Sequence, residues 1–386
     1  MPFLAPTKMS LNIPLLDRLR AADGDYVPLL ELGADLEQVR FDLDGLLSFG
    51  FGIELHPYRG AAYIGPAQRL CPDQIEHGLL TVGIGRRIAV WNRVTSTNDL
   101  AMRAGTSSSN DGLVILAEEQ TAGRGRRGRS WMAPPSSSIL MSVVLFPPSH
   151  LACAPAESGS GLAWLTALGA VAAAEVATAW TGRPATIKWP NDVRIGGRKL
   201  AGILVERALA PRRHATATPA RAPVVAEYGA VIGIGLNVNL SRDAFPVDLS
   251  PLATSLAIEC GGAQVDRSEV ARDLIRRLDH WYEASRSGGV DALNAPWQSR
   301  SEHLGRFVRI TTKAGAMSGR LVAIDLRQGL TLRVADETPR CSSEPVTPRL
   351  VRLSMADVLT LEADLNEHCE QNSRAVDGVR VKLPAS

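Results

Sequence analysis

The sequence predicts an α+β protein in three parts, with a mixed β-sheet at its centre. Three observations carry this. At 386 residues the chain exceeds one ordinary domain. From about 76 to 300, apolar strand-like runs alternate with helical patterns, as in a mixed α/β core. On either side the pattern changes, to short helices and a hairpin before this stretch and to short strands with Gly or Asp turns after it.

In order along the chain, residues 10 to 75 alternate short helical patterns with glycine-rich turns. They end in a predicted hairpin of 52–56 and 61–65, which is a compact helix-turn-helix plan with a small wing. Its charge is wrong for DNA. The segment holds ten Asp and Glu against five Arg, and the helix predicted over Leu36 to Phe49 carries Asp42 and Asp44 where a groove-reading helix would need basic or amide side chains. The central part predicts strands near 112–120, 139–146, 186–195, 200–207 and 230–238, with helices near 97–104, 159–180 and 268–285. The longest apolar run, Leu162 to Trp180, is mostly alanine with Glu175 inside it, which predicts a buried helix and not a membrane span. Ala208 to Ala222, rich in Ala, Pro, Arg and Thr, predicts a mobile surface insertion. After Trp297 the runs at 306–311, 319–324 and 330–334 predict a small β-barrel, and the tail from about 355 alternates charge and leucine and is read as ending in a short helix.

Composition is that of a soluble globular protein, with 45% hydrophobic and 21% charged residues. A net charge of +2 names no bulk electrostatic partner, so any charge-based function must be local. Five scattered cysteines form no CxxC pair, which argues against a zinc site and a disulfide framework. The first residues lack a signal-peptide pattern, and a reduced, cytoplasmic location is expected.

The most informative stretch is Gly123-Arg124-Gly125-Arg126-Arg127-Gly128-Arg129-Ser130-Trp131. Glycines let backbone approach a ligand closely, and arginine forks suit phosphate and carboxylate oxygens, so the implied partner is an anion, and a nucleotide is expected. The spacing formally matches a dinucleotide fingerprint, but that motif needs a helix directly afterwards to hold the pyrophosphate. Pro134-Pro135 and an apolar strand follow instead, and the dinucleotide reading is discarded.

Four further segments stand out: Thr95-Ser96-Thr97-Asn98 before a helix, Lys188-Trp189-Pro190-Asn191-Asp192, the run from Lys199 to Glu206 (KLAGILVE), and the run from Gly233 to Asn239 (GIGLNVN). Singly, each has a plain reading as a helix cap, a turn, a solvated charge or a bulge. Together with EEQTAGRGRRGRSW, and in this order over about 145 residues, they resemble the biotin protein ligase family.

The resemblance covers nearly the whole chain. It implies a winged-helix-like domain over 1–78, a class II synthetase-like catalytic domain over 79–302, and an SH3-like barrel plus tail over 303–386. It implies ATP-dependent formation of biotinyl-5′-AMP with Mg²⁺, then transfer of biotin to a lysine of a biotin carboxyl carrier domain. Joining two anions calls for preorganised cations and a metal. Arg124, Arg126, Lys199 and Lys188 are the candidates, with Lys199, Arg124 and Asp192 as the catalytic set. By the same resemblance Ser96, Thr97, Asn98 and Gln120 line the biotin head. Lys199 binds the biotin carboxylate, Asp192 positions the incoming amine, and Trp131 and Trp189 supply apolar walls. Gly123, Gly125, Gly202 and Asn237 complete the binding set. No spacing by itself makes a metal site, and Mg²⁺ is expected with ATP near Asn191. The acidic N-terminal part argues for a ligase without repressor function, whereas a lipoate or octanoate enzyme on the same fold is the nearest alternative. The resemblance admits a homodimer.

Overall fold

A computed structural model describes residues 10–151, 162–208, 229–334 and 349–363. The N-terminal unit is three helices and a hairpin: α1 (Ile13–Ala21), α2 (Leu29–Leu32), α3 (Leu36–Phe49), β1 (Gly52–His56) and β2 (Gly60–Gly65). The predicted bounds of α3 hold. Asp35 caps its first turn by accepting from the Glu37 and Gln38 amides, and Gly50, at φ 113°, ends it in the left-handed conformation that glycine takes most easily. Leu16, Leu19, Leu43 and Leu46 form a small core of its own, fully buried.

α4 (Pro72–Glu76) leads into a seven-stranded sheet made of β3 (Arg87–Val94), β4 (Leu113–Gln120), β5 (Ser138–Leu145), β6 (Ala185–Lys188), β7 (Asp192–Ile195), β8 (Arg198–Ala208) and β9 (Gly229–Asn237). Their order is β3-β4-β5-β9-β8-β7-β6, with β3 and β4 parallel and every other pair antiparallel. The single strand expected over 186–195 is two strands joined by a turn at 189–191, because Pro190 has no N–H to give a ladder. β3 lies outside the strands expected from sequence. Its polar Asn92 and Arg93 sit on an edge strand, where one face meets solvent and the apolar run is short.

One face of the sheet is covered by α6 (Ala163–Thr181) and α8 (Arg267–Gly288), the other in part by α5 (Thr97–Ala104). β5 is therefore buried at all eight positions, as expected for a strand covered on both sides. Among the described residues α6 is the one helix long and apolar enough to cross a membrane. It is packed in the core, and Glu175 is accounted for by bonds from Arg277, Trp281 and Arg300.

α7 (Leu256–Glu259) and α9 (Asn294–Gln298) connect to a C-terminal antiparallel sheet. Its strands are β10 (Phe307–Thr312), β11 (Gly315–Asp325), β12 (Gly329–Val334), β13 (Arg349–Leu353) and β14 (Val358–Ala363), ordered β13-β12-β11-β10-β14. Its apolar face, including Val308, Ile310, Leu321 and Leu332, is continuous with the main core. The first part of the tail, Val358–Ala363, is a strand paired with β10, and the short helix expected at its end falls outside the described residues. The rest of the tail and nearly all of the 208–222 insertion lie outside the described residues, as do Cys153, Cys341 and Cys369. Cys71 and Cys260 are free thiols.

Candidate active site

α5 covers only part of its sheet face, and the remainder is roofed by the arginine loop. The loop is a narrow turn: the Trp131 amide donates to the Gly123 carbonyl at 2.9 Å and the Gly125 amide to the Arg129 carbonyl at 2.6 Å. Arg127 (φ 58°) and Gly128 (φ 72°) take the left-handed conformation that reverses the chain. Under the loop lies a cavity of about 50 Å³, room for a few waters. Trp131 is what makes it small. Its indole lies on β8 and β9 at Gly202 and Gly235, so close that a Cβ at Gly235 would stand 2.3 Å from the ring.

The cavity has two chemically distinct ends. At the first, Thr97 donates from its amide (2.8 Å) and its hydroxyl (3.1 Å) to Gln120 Oε1, so Gln120 satisfies the start of α5. Ser96, which the plain reading makes a cap, forms no side-chain capping bond and lines the cavity. Asn98 donates to Glu206 at 2.6 Å, and the Ser142 hydroxyl lies 2.5 Å from Asn98 Oδ1 and 2.7 Å from the Thr97 hydroxyl, its one proton shared between these two acceptors. Gly233 makes room for this network, since a Cβ there would lie 2.2 Å from Asn98 Oδ1.

The second end is cationic. The Lys199 ammonium bonds Asp192 Oδ1 at 2.8 Å and sits 5.5 Å from the Trp131 ring centre. Its backbone is held on both sides, by Leu252 and Thr254. Arg126 donates to Asn191 Oδ1 at 3.1 Å, and Asn191 is itself clamped to β8 by two bonds with the Ile203 backbone. Burial, then the neighbouring Arg127 charge, pushes the Arg126 guanidinium below its ordinary value, with Asp192 partly offsetting this. Beyond this end a groove of about 680 Å³, lined by Arg126, Arg127, Trp189, Leu204, Trp297 and Leu359, runs to the C-terminal sheet. The Trp189 indole N–H is buried in its wall without a partner.

Most of the expected residues therefore converge on one cavity: Ser96, Thr97, Asn98, Gln120, Arg124, Gly125, Arg126, Trp131, Asn191, Lys199 and Gly202 all line it. Gly123 stands at the loop's neck, where a Cβ would meet the Trp131 carbonyl at 2.4 Å. Three expectations change. Asn237 is on the right face by strand parity, but its buried amide donates to the Thr254 carbonyl and does not reach the cavity. Lys188 lines neither cavity nor groove, and its charge acts on buried His303 instead. Arg124, expected as a catalytic charge, is held by two carboxylates, Asp99 and Glu206. Sequence reasoning missed Asp99, Glu206 and Ser142. Ser142 left the clearest signal, a lone hydroxyl within the apolar run of β5.

Comparison with known proteins places these features in a group. A family profile described as the biotin/lipoate A/B protein ligase family matches residues 90–217. The chain is 30% identical over 294 residues, 76% of its length and 84% of the relative's, to the bifunctional ligase/repressor BirA of Bacillus spizizenii. It is 35% identical over 249 residues, 61% of its length and 79% of the relative's, to the biotin–(acetyl-CoA-carboxylase) ligase of Mycobacterium tuberculosis. In fold it is similar to the biotin protein ligase from Aquifex aeolicus in complex with biotin and ATP. That likeness has a TM-score of 0.54 at 22% identity and covers 72% of this chain and all of that one.

Proposed function

The chain belongs to the biotin/lipoate A/B protein ligase family, and from that premise we propose that it activates biotin with ATP and transfers it to a carrier-domain lysine. The observation that carries the choice of acid is the two-ended cavity. Its first end offers hydroxyls, amides and an acceptor network suited to a neutral ureido group, which both donates and accepts. Its second end offers Lys199 and Arg126 to a carboxylate and a phosphate. A lipoyl chain ends in a dithiolane and an octanoyl chain in a methyl group, and neither offers the donors and carbonyl acceptor that the first end is suited to.

The steps follow from this placement. Lys199 draws the biotin carboxylate to the cationic end, in reach of an α-phosphate held by Arg126. A carboxylate oxygen attacks the α-phosphorus, the bond to the bridging oxygen breaks, and pyrophosphate leaves with that electron pair. Charge on the phosphoryl oxygens rises in the transition state, where fixed guanidinium and ammonium groups lower the barrier most. In the second step a lysine amine of the carrier domain attacks the acyl carbon, AMP leaves, and Asp192, beside Lys199, is the carboxylate placed to orient that amine and take its proton. ATP occupies the groove toward the C-terminal sheet, whose volume suits a ligand of that size.

Among the described residues no cluster of three His, Cys, Asp or Glu side chains could cage a metal. Asn191 and Asp192, beside Arg126, are the oxygen donors that would hold an Mg²⁺ brought in with ATP. Such an ion would neutralise phosphate charge.

Entry of biotin requires Trp131 to leave Gly202 and Gly235, after which the loop closes over the adenylate and excludes water. The reading assigns 1–78 to a winged-helix-like domain, 79–302 to catalysis and 303–386 to an SH3-like domain plus tail, in a cytoplasmic enzyme. It gives the N-terminal unit no repressor role: α3 exposes Glu37 and Asp44 beside Gln38 and Arg40, a face of mixed charge, and the ten-to-five acidic excess over residues 10 to 75 weighs against phosphate binding. Calorimetric titration with biotin, then ATP, tests it. Saturable biotin binding that tightens ATP binding is expected, and no heat with biotin would overturn the assignment.

A further inference from the structure

Arg124 opens the arginine loop, yet its guanidinium is already committed. Its Nη1 donates to Asp99 Oδ1, and its Nη2 donates to Glu206 Oε2 at 3.0 Å. Asp99 lies in the first turn of α5 and Glu206 near the end of β8, so one planar fork joins three segments far apart in sequence. The network continues inward. Glu206 Oε2 also accepts from Asn98, and Asp99 Oδ2 accepts from the Thr95 hydroxyl at 2.8 Å. Burial works to raise the Asp99 carboxyl, but the bonds from Arg124 and Thr95 hold it below its ordinary value.

Two consequences follow from charge and geometry. The Arg124 guanidinium is divided between two carboxylates, so it is not free to take a further anion. Arg126, by contrast, has no carboxylate within 4.0 Å among the described residues. The loop's two arms are also cross-linked, Gly123 to Trp131 and Gly125 to Arg129, so holding Arg124 holds the Trp131 arm as well. Each ion pair is partly exposed and weak alone, but the two act on one group.

We propose that Asp99 and Glu206 are positioning residues: they latch the Arg124 guanidinium, fix the first arm of the loop beside the head pocket, and leave Arg126 as the anion-binding arginine of the cavity. The latch is a property of the chain without ligand, and only its consequence for catalysis rests on the biotin-activating reading above.

The test follows amide hydrogen exchange in the full-length, ligand-free chain at Gly125 and Trp131, with the amides of β5 as a global control. Wild type is compared with Asp99→Ala, Glu206→Gln, the double variant, Arg124→Ala and the triple variant. The double variant should exchange several-fold faster at Gly125 and Trp131 with β5 unchanged, and adding Arg124→Ala should change nothing further. With biotin and ATP, the double variant should show KM for biotin rising more than kcat falls, and faster escape of the adenylate. Three results would overturn the latch: unchanged loop exchange, an undiminished effect of Arg124→Ala in the double background, or equal acceleration in β5. A failure of the biotin reading shows separately, as absent biotin binding by wild type, while the exchange comparison still decides the latch.

Discussion

Single residues here have chemistry set by neighbours that sequence distance hides. His303 is 3% exposed, and its Nδ1 is buried without a partner. Burial, followed by the charges of Lys188, Arg306 and Arg194, pushes its imidazole down from 6.5 to about 4. The folded chain therefore binds this proton more weakly than the unfolded chain does. Between about pH 6.5 and 4 the unfolded state holds more protons, so stability falls as pH falls through that window, by roughly 2–4 kcal/mol in total. Melting temperatures at pH 7 and pH 4.5 check this: wild type should lose stability, and His303→Gln should lose less. Equal losses would mean that another group controls the acid limb.

Elements explain why glycine recurs on the site face of β9. Ser142 of β5 is paired with Gly233, and Asn98 of α5 lies directly over this step. A methyl group at Gly233 must displace Asn98 and break its bonds to Ser142 and Glu206. We expect Gly233→Ala to cost roughly 1–3 kcal/mol of stability and to weaken biotin binding at least about tenfold, as overpacking and lost polar partners combine. Denaturant melts and calorimetry would measure both, and unchanged biotin affinity would remove this step from the head pocket. At this scale the sequence was informative wherever chemistry was local. The cap and glycine stop of α3, the apolar run of β5 and the crowded arginine-glycine loop all lie within a few residues. The Asp99–Arg124–Glu206 contacts span 25 and 82 residues and exist only because the sheet register brings α5 and β8 together. Asn237 misled for the same reason. Its parity was right, but the segment at Thr254 claims its amide.

Across the whole molecule, a buried ion pair ties the N-terminal unit to the catalytic sheet. Arg267 is 2% exposed and bonds Glu118 at 2.6 Å, the Ser138 carbonyl at 3.1 Å and the Gln68 carbonyl, while Glu118 accepts from the Leu70 amide at 2.5 Å. Outside it, Arg20 and Gln74 bond Asp266 and Glu269 at the start of α8. The unit is thus held against the core from both sides of the linker. Removing one partner strands a buried charge, so Arg267→Ala should cost about 3–5 kcal/mol. Urea unfolding would show it, and a loss below about 1 kcal/mol would mean that the pair is dispensable.

The central claim, that the cavity activates biotin in particular, is tested most directly by pyrophosphate release from ATP. Biotin, lipoate and octanoate are offered in turn to wild type and to Lys199→Ala. Release should depend on biotin alone. It should fall by about 10²–10³ in Lys199→Ala, the loss expected when roughly 3–4 kcal/mol of charge stabilisation is removed from the transition state. Release driven equally by octanoate or lipoate, or undiminished in Lys199→Ala, would contradict the account.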